Sequence, residues 1–221
     1  KIKNDENKVE LKSYFIKLVN WLRSNLVLKT DNGLKFGIWE HNFKYPYGIY
    51  DLQVPWRSGM VQGEGVRALW LAYELTGDEE YLQYATYALN SFLVDVKHGG
   101  VTYKDSKNMW WFEEYASDND LQPRVLNGAI YAAIDIHGFW KATGSVVARD
   151  LFQKGVQAVK EDLGDYDTGK WTYYDALGTI ATRHYHNDHI ELTQELYELT
   201  GDKVFKEYSE KWSSYSIPYF Y

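Results

Sequence analysis

The fold of this chain is decided by three short turns: LTGD at residues 75–78, ATGS at 142–145 and LTGD at 199–202. Each turn follows one stretch with helical apolar spacing and precedes another, so each predicts a helix hairpin. Helix hairpins repeated in series close most simply into an α/α toroid, in which inner and outer helices alternate. The sequence therefore predicts an all-α fold, an α/α barrel of about three and a half to four hairpins.

The apolar spacing predicts seven helices in one domain that covers residues 1–221. The first helix is expected at about 8–28, and the hairpins at about 62–95, 126–163 and 188–215. Asp78 is the predicted N-cap of the second helix of the first hairpin. Asp188, with Glu191 three residues later, is the predicted N-cap at the start of the third hairpin.

The segments between these helices have a different composition. Residues 33–56, 99–115 and 164–186 are rich in Gly, Tyr, Trp and Thr and partly alternate in polarity, which predicts β-hairpins or extended loops. Each segment precedes the first helix of a hairpin, so all three should emerge at the same end of the ring. Loops this long in a compact domain are usually functional, and this end is the predicted cleft.

The composition restricts the classes of partner. The net charge is −7 with only six Arg, which argues against broad binding to nucleic acid or to an anionic membrane. No apolar stretch is long enough to span a bilayer. There is no Cys, so disulfides, thiolate metal sites and Cys nucleophiles are excluded. No compartment is predicted.

Five motifs occur in an order that resembles a known family. They are PWRSGMVQG at 55–63, WFEEY at 111–115, VLNG at 125–128, YDTG with TYYD at 166–169 and 172–175, and RHYHNDH at 183–189. Together they resemble the C-terminal helical domain of D-glucuronyl C5-epimerases over about residues 54–212. Residues 1–53 would then form an N-terminal helix and a β-like loop, and 213–221 a tail. The resemblance implies an α/α barrel that inverts C5 of glucuronate in an acidic polysaccharide, without a cofactor or metal.

The resemblance places Tyr115, Tyr174 and Tyr185 on the family's functional tyrosines and Glu114 on the neighbouring acid. Inversion removes the C5 proton from one face of the sugar and returns a proton to the other, through an enolate-like dianion that needs nearby donors. A phenol can act as donor or, once ionised, as acceptor. Because its ordinary pKa is about 10, a neighbouring cation or hydrogen-bond donor would have to stabilise the phenolate, and Arg183 is the candidate for that task.

The substrate itself is expected to contact loop residues and the first turns of the inner helices, whose N–H groups favour anions. The predicted contacts are Trp56, Arg57, Gln62, Trp111, Arg124, Asn127, Trp171, Arg183 and His186. Two positions depart from the family pattern, since Leu177 stands where the family has Arg and Ala116 where it has Pro. We expect Arg57, Arg124 or Arg183 to replace the missing Arg, unless the substrate differs.

Other interpretations remain open. A lyase would remove the same proton and expel the C4 substituent. A hydrolase would need two carboxylates, for which the candidates are Glu64, Glu113, Glu114, Asp167 and Asp175. A glycan-binding module without activity is a third alternative. His184, His186 and His189 lack a clear third ligand of fixed spacing, and no metal site is predicted. Members of the family are dimers, and the apolar tail at 217–221 is a possible contact in a homodimer.

Overall fold

The computed structural model describes residues 2–45, 49–105, 107–119 and 121–215. This part of the chain contains seven α-helices and four short strands. The helices are α1 (Ile2–Ser24), α2 (Gly59–Thr76), α3 (Glu79–Asn90), α4 (Leu126–Thr143), α5 (Val146–Asp162), α6 (Arg183–Thr200) and α7 (Lys203–Ser213). The strands are β1 (Val27–Asp31), β2 (Leu34–Ile38), β3 (Thr102–Lys104) and β4 (Trp110–Phe112). The three predicted hairpins are α2/α3, α4/α5 and α6/α7.

The three Thr-Gly turns share one set of hydrogen bonds. In the first turn, the Thr76 hydroxyl donates to the Ala72 carbonyl at 2.7 Å and accepts from the Asp78 N–H at 3.2 Å. Gly77 has a φ of 73°, a left-handed conformation that ends α2 without steric cost. Asp78 then caps α3, as predicted. Equivalent threonine, glycine and capping bonds occur at 143–145 and at 200–202.

The helices are arranged as inner and outer layers of an α/α toroid. Helix α4 packs between α2 and α6 on the inside, while α3, α5 and α7 each pack on the outside of their hairpin partner. Helix α1 packs on the free side of α2. The amino ends of α2, α4 and α6 consequently lie at one end of the arc, where the three long segments enter. The predicted fold class is confirmed by this architecture.

One predicted helix end and one predicted helix start were wrong. Helix α1 ends at Ser24, because residues 27–38 form an antiparallel hairpin whose turn, Asn32-Gly33, has φ values of 46° and 83°. Helix α6 begins at Arg183, because the side chain of Thr182 caps it by accepting from the Tyr185 N–H. Asp188 is therefore not an N-cap, and Tyr185 lies inside the first helical turn.

The other two long segments cross the same end of the arc. Strands β3 and β4 pair antiparallel within 99–115, as expected for a β-hairpin. The 164–186 segment contains two isolated bridges, Asp167 with Thr172 and Tyr173 with Ile180. None of the described helices combines the length and the apolar character needed to cross a bilayer.

Helix α1 has an apolar face that is turned away from the core. Leu11, Tyr14, Leu18 and Trp21 are exposed along it, while Val19 is buried on the opposite side. The tail at 217–221, which was the predicted dimer contact, lies outside the described residues.

Candidate active site

A group of tyrosines from all three long segments meets at the end of the arc where the inner helices begin. We call Tyr45, Tyr50, Tyr115, Tyr174 and Tyr185 the tyrosine cluster. The hydroxyl oxygens of Tyr115 and Tyr174 are 3.1 Å apart. The ring centroids of Tyr174 and Tyr185 are 4.5 Å apart, and those of Tyr50 and Tyr115 are 5.2 Å apart. The three tyrosines predicted from the sequence are thus brought together.

Backbone pairing between the segments fixes these positions. The N–H of Leu126, at the start of α4, donates to the Tyr174 carbonyl at 3.1 Å. The backbone of Arg57, just before α2, pairs with Ala116 in both directions, beside Tyr115. The cluster is therefore attached to the amino ends of two inner helices. Ala116, which departs from the family pattern, accommodates this pairing because, unlike Pro, it has an N–H to donate.

Glu114 is the carboxylate beside the tyrosine cluster, and 6% of its surface is exposed. It lies directly against Gly128 in the first turn of α4, where a Cβ would be 2.2 Å from Glu114 Oε2. Its Oε2 has no hydrogen-bond partner among the described residues. The absence of a side chain at Gly128 is what leaves room for this carboxylate.

Burial and nearby negative charge raise the pKa values of Glu114, Tyr115 and Tyr174, which favours their protonated forms. Burial, followed by the charge of Glu64, raises the pKa of Glu114 to about 7, although hydrogen bonds from the Tyr115 and Tyr174 hydroxyls oppose the shift. Burial and the charge of Glu114 raise the pKa of Tyr115 and of Tyr174 far above the ordinary value. Near neutral pH, Glu114 is therefore the group that changes charge, while Tyr115 and Tyr174 are neutral donors.

The comparison with known families agrees with this arrangement. Residues 32–214 match the family described as D-glucuronyl C5-epimerase C-terminus. The chain belongs to this family. A D-glucuronyl C5-epimerase of Caenorhabditis elegans is 31% identical over 180 residues, covering 73% of this chain and 29% of its own length. An uncharacterized protein of Methanocaldococcus jannaschii is 41% identical over 186 residues, covering 82% of this chain and 59% of its own length. This C5-epimerase family chain thus spans well under two thirds of both relatives.

Solved structures confirm the toroid fold. A GH76 alpha-mannanase of Bacteroides thetaiotaomicron superposes with a TM-score of 0.60 at 14% identity, covering 93% of this chain and 54% of its own. A cellobiose 2-epimerase of Spirochaeta thermophila superposes with a TM-score of 0.56 at 13% identity, covering 92% of this chain and 52% of its own. The C5-epimerase family chain therefore corresponds to about half the length of these toroids.

Several predicted substrate contacts are buried and bonded within the protein. The Gln62 amide is fully buried and bonds to the Trp39 N–H, the Gly37 carbonyl and the Ser91 hydroxyl. Trp111 is buried under the ring of Tyr166, at a centroid distance of 5.7 Å. These side chains join α2 and the second long segment to the core, which leaves them no surface for a sugar.

His186 and Trp171 form a second structural group. Their rings stack at a centroid distance of 3.6 Å, and both are buried. The Thr172 hydroxyl lies 2.9 Å from His186 Nδ1 and 3.0 Å from His189 Nδ1, while His186 Nε2 lies 3.2 Å from the Trp212 carbonyl. This network ties the third long segment to α6 and α7 and gives both ring nitrogens of His186 partners within the protein, while its contact with substrate stays a prediction. No group of three potential metal ligands occurs in the described part of the chain.

Of the three arginines proposed to replace the family Arg, Arg57 and Arg124 are engaged in other contacts, and Arg183 is exposed. The Arg57 guanidinium is buried and bonds to Asp118 at 2.8 Å and to the Val96 carbonyl at 3.0 Å. Arg124 pairs with Asp162 at 2.5 Å. Arg183 is exposed beside Trp171 and Tyr215, on a different side of α6 from Tyr185, because residues two apart on a helix do not face the same way. Stabilisation of a phenolate by Arg183 stays a prediction.

Trp56 lies at the cluster, and Asn127 lies in the helical turn whose Gly128 contacts Glu114. The ring of Trp56 packs against Tyr115 at 5.9 Å, and its N–H donates to the Phe43 carbonyl. Asn127 is buried in the first turn of α4, next to Gly128, and its side-chain oxygen has no partner among the described residues. Asn127 and Glu114 thus each leave one buried oxygen unsatisfied near the start of α4.

Sequence reasoning did not single out Tyr50. Its hydroxyl donates to the buried carboxylate of Asp175, which also accepts the N–H groups of Leu177 and Thr179 at 3.0 Å each. Tyr50 thereby links the first long segment to the third. The available signal was the number of tyrosines in 33–56, but their spacing does not reveal which one points into the cluster.

The carboxylates that a hydrolase would need are mostly engaged elsewhere. Glu113 is fully buried, and its oxygens accept the Arg124 N–H at 3.1 and 3.3 Å. Asp167 bonds to Lys211 and to the Tyr215 hydroxyl, and Asp175 is held by Tyr50. Only the exposed Glu64 is left to accompany Glu114.

Proposed function

We propose that this chain carries the catalytic site of a uronate C5-epimerase that acts on an acidic polysaccharide without a cofactor. The observation that carries the proposal is the pair of Tyr115 and Tyr174 hydroxyls, 3.1 Å apart, beside a buried carboxylate, Glu114, whose pKa is raised to about 7. Proton abstraction next to a carbonyl group needs a base with a pKa near the working pH. Glu114 fits that requirement better than a phenol with a raised pKa, so the base is Glu114 and not a tyrosinate.

The proposed reaction balances as one proton removed and one returned. The Glu114 carboxylate takes the C5 proton, and the electron pair of the C–H bond moves into the uronate carboxylate to form an enolate-like dianion. Tyr185, whose half-buried ring packs against Tyr174, donates its hydroxyl proton to the other face of C5. The proton on Glu114 then returns to the phenolate through the Tyr115 and Tyr174 hydroxyls, which are in mutual contact.

Binding of the sugar would use the unsatisfied oxygens at the start of α4. Glu114 Oε2 and Asn127 Oδ1 are buried acceptors without donors among the described residues, and such groups gain most from a hydroxyl that satisfies them. The amino end of α4 would favour the uronate carboxylate. Neither the unsatisfied oxygens nor the amino end of α4 depends on the family's Arg, which is replaced by Leu177 in this chain.

The test is solvent exchange at C5. The purified protein is incubated in D₂O with heparosan, an unsulfated polymer containing glucuronate, and the polymer is examined by NMR. Deuterium at C5 together with iduronate supports the epimerase. Deuterium at C5 without iduronate, or an unsaturated product seen by its ultraviolet absorbance, would replace the proposal with partial exchange or a lyase. No deuterium in any uronate polymer contradicts the proposal.

A second candidate is a glycan-binding module without activity. It is favoured by one observation, that the main causes of the raised pKa values of Tyr115 and Tyr174 are burial, Glu114 and neighbouring tyrosines rather than a cation that would offset the charge of a dianion. A binding module would retain heparosan binding in Tyr185→Phe and show no exchange in the wild type.

A further inference from the structure

One buried threonine of the third long segment bonds to two histidines of α6. The Thr172 hydroxyl lies 2.9 Å from His186 Nδ1 and 3.0 Å from His189 Nδ1, and all three side chains are buried. A hydroxyl carries one proton, so it can donate to only one of the two nitrogens. The other nitrogen must carry a proton itself and donate it to the hydroxyl oxygen.

The far side of the His186 ring decides the direction of these bonds. His186 Nε2 lies 3.2 Å from the Trp212 carbonyl, which can only accept, so the proton of neutral His186 is on Nε2. His186 Nδ1 therefore accepts from the Thr172 hydroxyl, and His189 Nδ1 donates to it. His189 Nε2 is then a bare acceptor, and it has no hydrogen-bond partner among the described residues. The hydrogen bonds thus run in one direction, from His189 through Thr172 and His186 to Trp212.

This direction holds while both histidines are neutral. Burial lowers the pKa of His186, and burial followed by the charge of His186 lowers the pKa of His189 to about 3. A proton on His186 Nδ1 would turn two N–H groups towards the Thr172 oxygen and leave the buried Thr172 proton without an acceptor, which is costly. Near neutral pH both rings are therefore neutral, each in one tautomer.

Thr172 lies two residues before Tyr174 on a narrow antiparallel loop. The Thr172 carbonyl accepts the Ala181 N–H at 3.0 Å, and the Tyr174 N–H donates to the Thr179 carbonyl at 2.6 Å. In an extended segment, side chains two residues apart point to the same side. The side chains of Thr172 and Tyr174 therefore both face α6.

Helix α6 supplies a partner for each of these side chains at a fixed spacing. The ring of Tyr185 contacts that of Tyr174 at a centroid distance of 4.5 Å. Tyr185 lies one residue before His186 and four before His189, the two partners of Thr172. The contact of Thr172 with the histidines consequently fixes how far along α6 the third segment lies, and with it the contact between the two tyrosines.

We infer that Thr172 is a positioning residue, whose hydroxyl, held between His186 and His189, sets the register of the third long segment on α6 and so brings Tyr174 against Tyr185. The inference rests on the proposed function for the part that these two tyrosines take in proton transfer. His186 and His189 act on the site through Thr172.

The test compares two substitutions of this threonine. Thr172→Val keeps the shape of the side chain and removes the hydroxyl, whereas Thr172→Ser keeps the hydroxyl. We expect Thr172→Val to lower the kcat of C5 exchange into heparosan about tenfold and to change KM less than about twofold, because the tyrosines are displaced and the rest of the sugar site is not. Thr172→Ser should keep most of the wild-type rate.

Two spectroscopic measurements do not depend on activity. In the wild type, ¹⁵N NMR of the imidazole rings should show the proton of His186 on Nε2 and that of His189 on Nδ1. The ring protons of Tyr174 and Tyr185 should give a nuclear Overhauser effect that is weakened in Thr172→Val and kept in Thr172→Ser.

A matched control is Thr193→Val in α6. Thr193 is also buried, but its hydroxyl donates to the His189 carbonyl, at 2.6 Å, and not to a ring. Exchange should stay within about twofold, because such a bond within a helix adds little. The inference is overturned if Thr172→Val exchanges as fast as Thr193→Val and keeps the contact between the tyrosines, or if either histidine has the other tautomer. A wild type without exchange, in which that contact depends on the Thr172 hydroxyl, would overturn the proposed function alone.

Discussion

Glu114 is the residue on which the chemistry depends, because it is the one group of the site whose charge changes near neutral pH. Its pKa of about 7 follows first from burial and then from the charge of Glu64. Glu114→Gln keeps the shape of the side chain and removes the base. We expect C5 exchange to fall by about 10³-fold, measured as deuterium incorporated into heparosan. Glu113→Gln is the neighbouring control, and an equal loss in both variants would show a general disturbance of the site.

The same shift predicts how stability depends on pH. The folded protein holds the Glu114 proton up to pH about 7, whereas the unfolded chain releases it near 4.5, so the contribution of Glu114 to stability falls as the pH rises between these values. Glu114→Gln has no carboxyl proton to release, so it removes this fall in stability with rising pH. At pH 8 the variant should be more stable than the wild type by about 3 kcal/mol, and near pH 4.5 the difference should vanish. Denaturant unfolding at both pH values checks this, and a difference independent of pH would contradict it.

Gly128 is a positioning residue for that carboxylate. A Cβ at Gly128 would be 2.2 Å from Glu114 Oε2 and 2.7 Å from Glu114 Cβ, so Gly128→Ala must displace Glu114. We expect at least about a tenfold loss of C5 exchange, together with a change in its pH profile as the Glu114 environment changes. Gly138→Ala in the same helix is the control, since its Cβ would meet Trp70 at 3.9 Å, an ordinary contact. Equal activity of the two variants would show that Gly128 has no positioning role.

At the scale of the elements, the hairpin turns depend on a left-handed glycine. Gly144 has a φ of 72° and open space around its Cα, so Gly144→Ala should cost about 1–2 kcal/mol through backbone strain alone. Thermal unfolding measures the loss. Gly138→Ala, inside the helix that this turn ends, should be neutral or slightly stabilising, and an equal cost in both would contradict the assignment of the turn.

The sequence was sufficient for the hairpins because their signal is local. Thr, Gly and Asp or Ser stand at fixed positions in each turn, and every one of them makes its hydrogen bond within four residues. The end of α1 and the start of α6 also depend on local signals, but they were predicted less well. The Asn32-Gly33 turn closes a hairpin that ends α1 before its predicted end, and Thr182 takes the capping role predicted for Asp188.

The candidate site was only partly predictable. Tyr115, Tyr174 and Tyr185 came from the resemblance to the family, and the structure brings them together. The resemblance and the helix starts also suggested Gln62, Arg57 and His186, whose side chains are buried and bonded within the protein. Which polar side chain in a first helical turn faces the core depends on packing between segments distant in sequence. Tyr50 was missed for the same reason.

At the scale of the whole molecule, the chain forms an arc of a toroid. The superposition with the GH76 alpha-mannanase includes 93% of this chain and 54% of the mannanase. The tyrosine cluster lies at the end where the inner helices begin. That end of an α/α toroid is where long connecting segments can surround a sugar.

The most direct test of the account is the rate of C5 deuterium incorporation into heparosan as a function of pH, in the wild type and in Glu114→Gln. The account predicts that incorporation by the wild type rises as the pH approaches about 7, because Glu114 must lose its proton to act as the base. Glu114→Gln should show almost no incorporation at any pH. Incorporation at the same rate in both proteins, or a wild-type rate that is already level at pH 5, would contradict it.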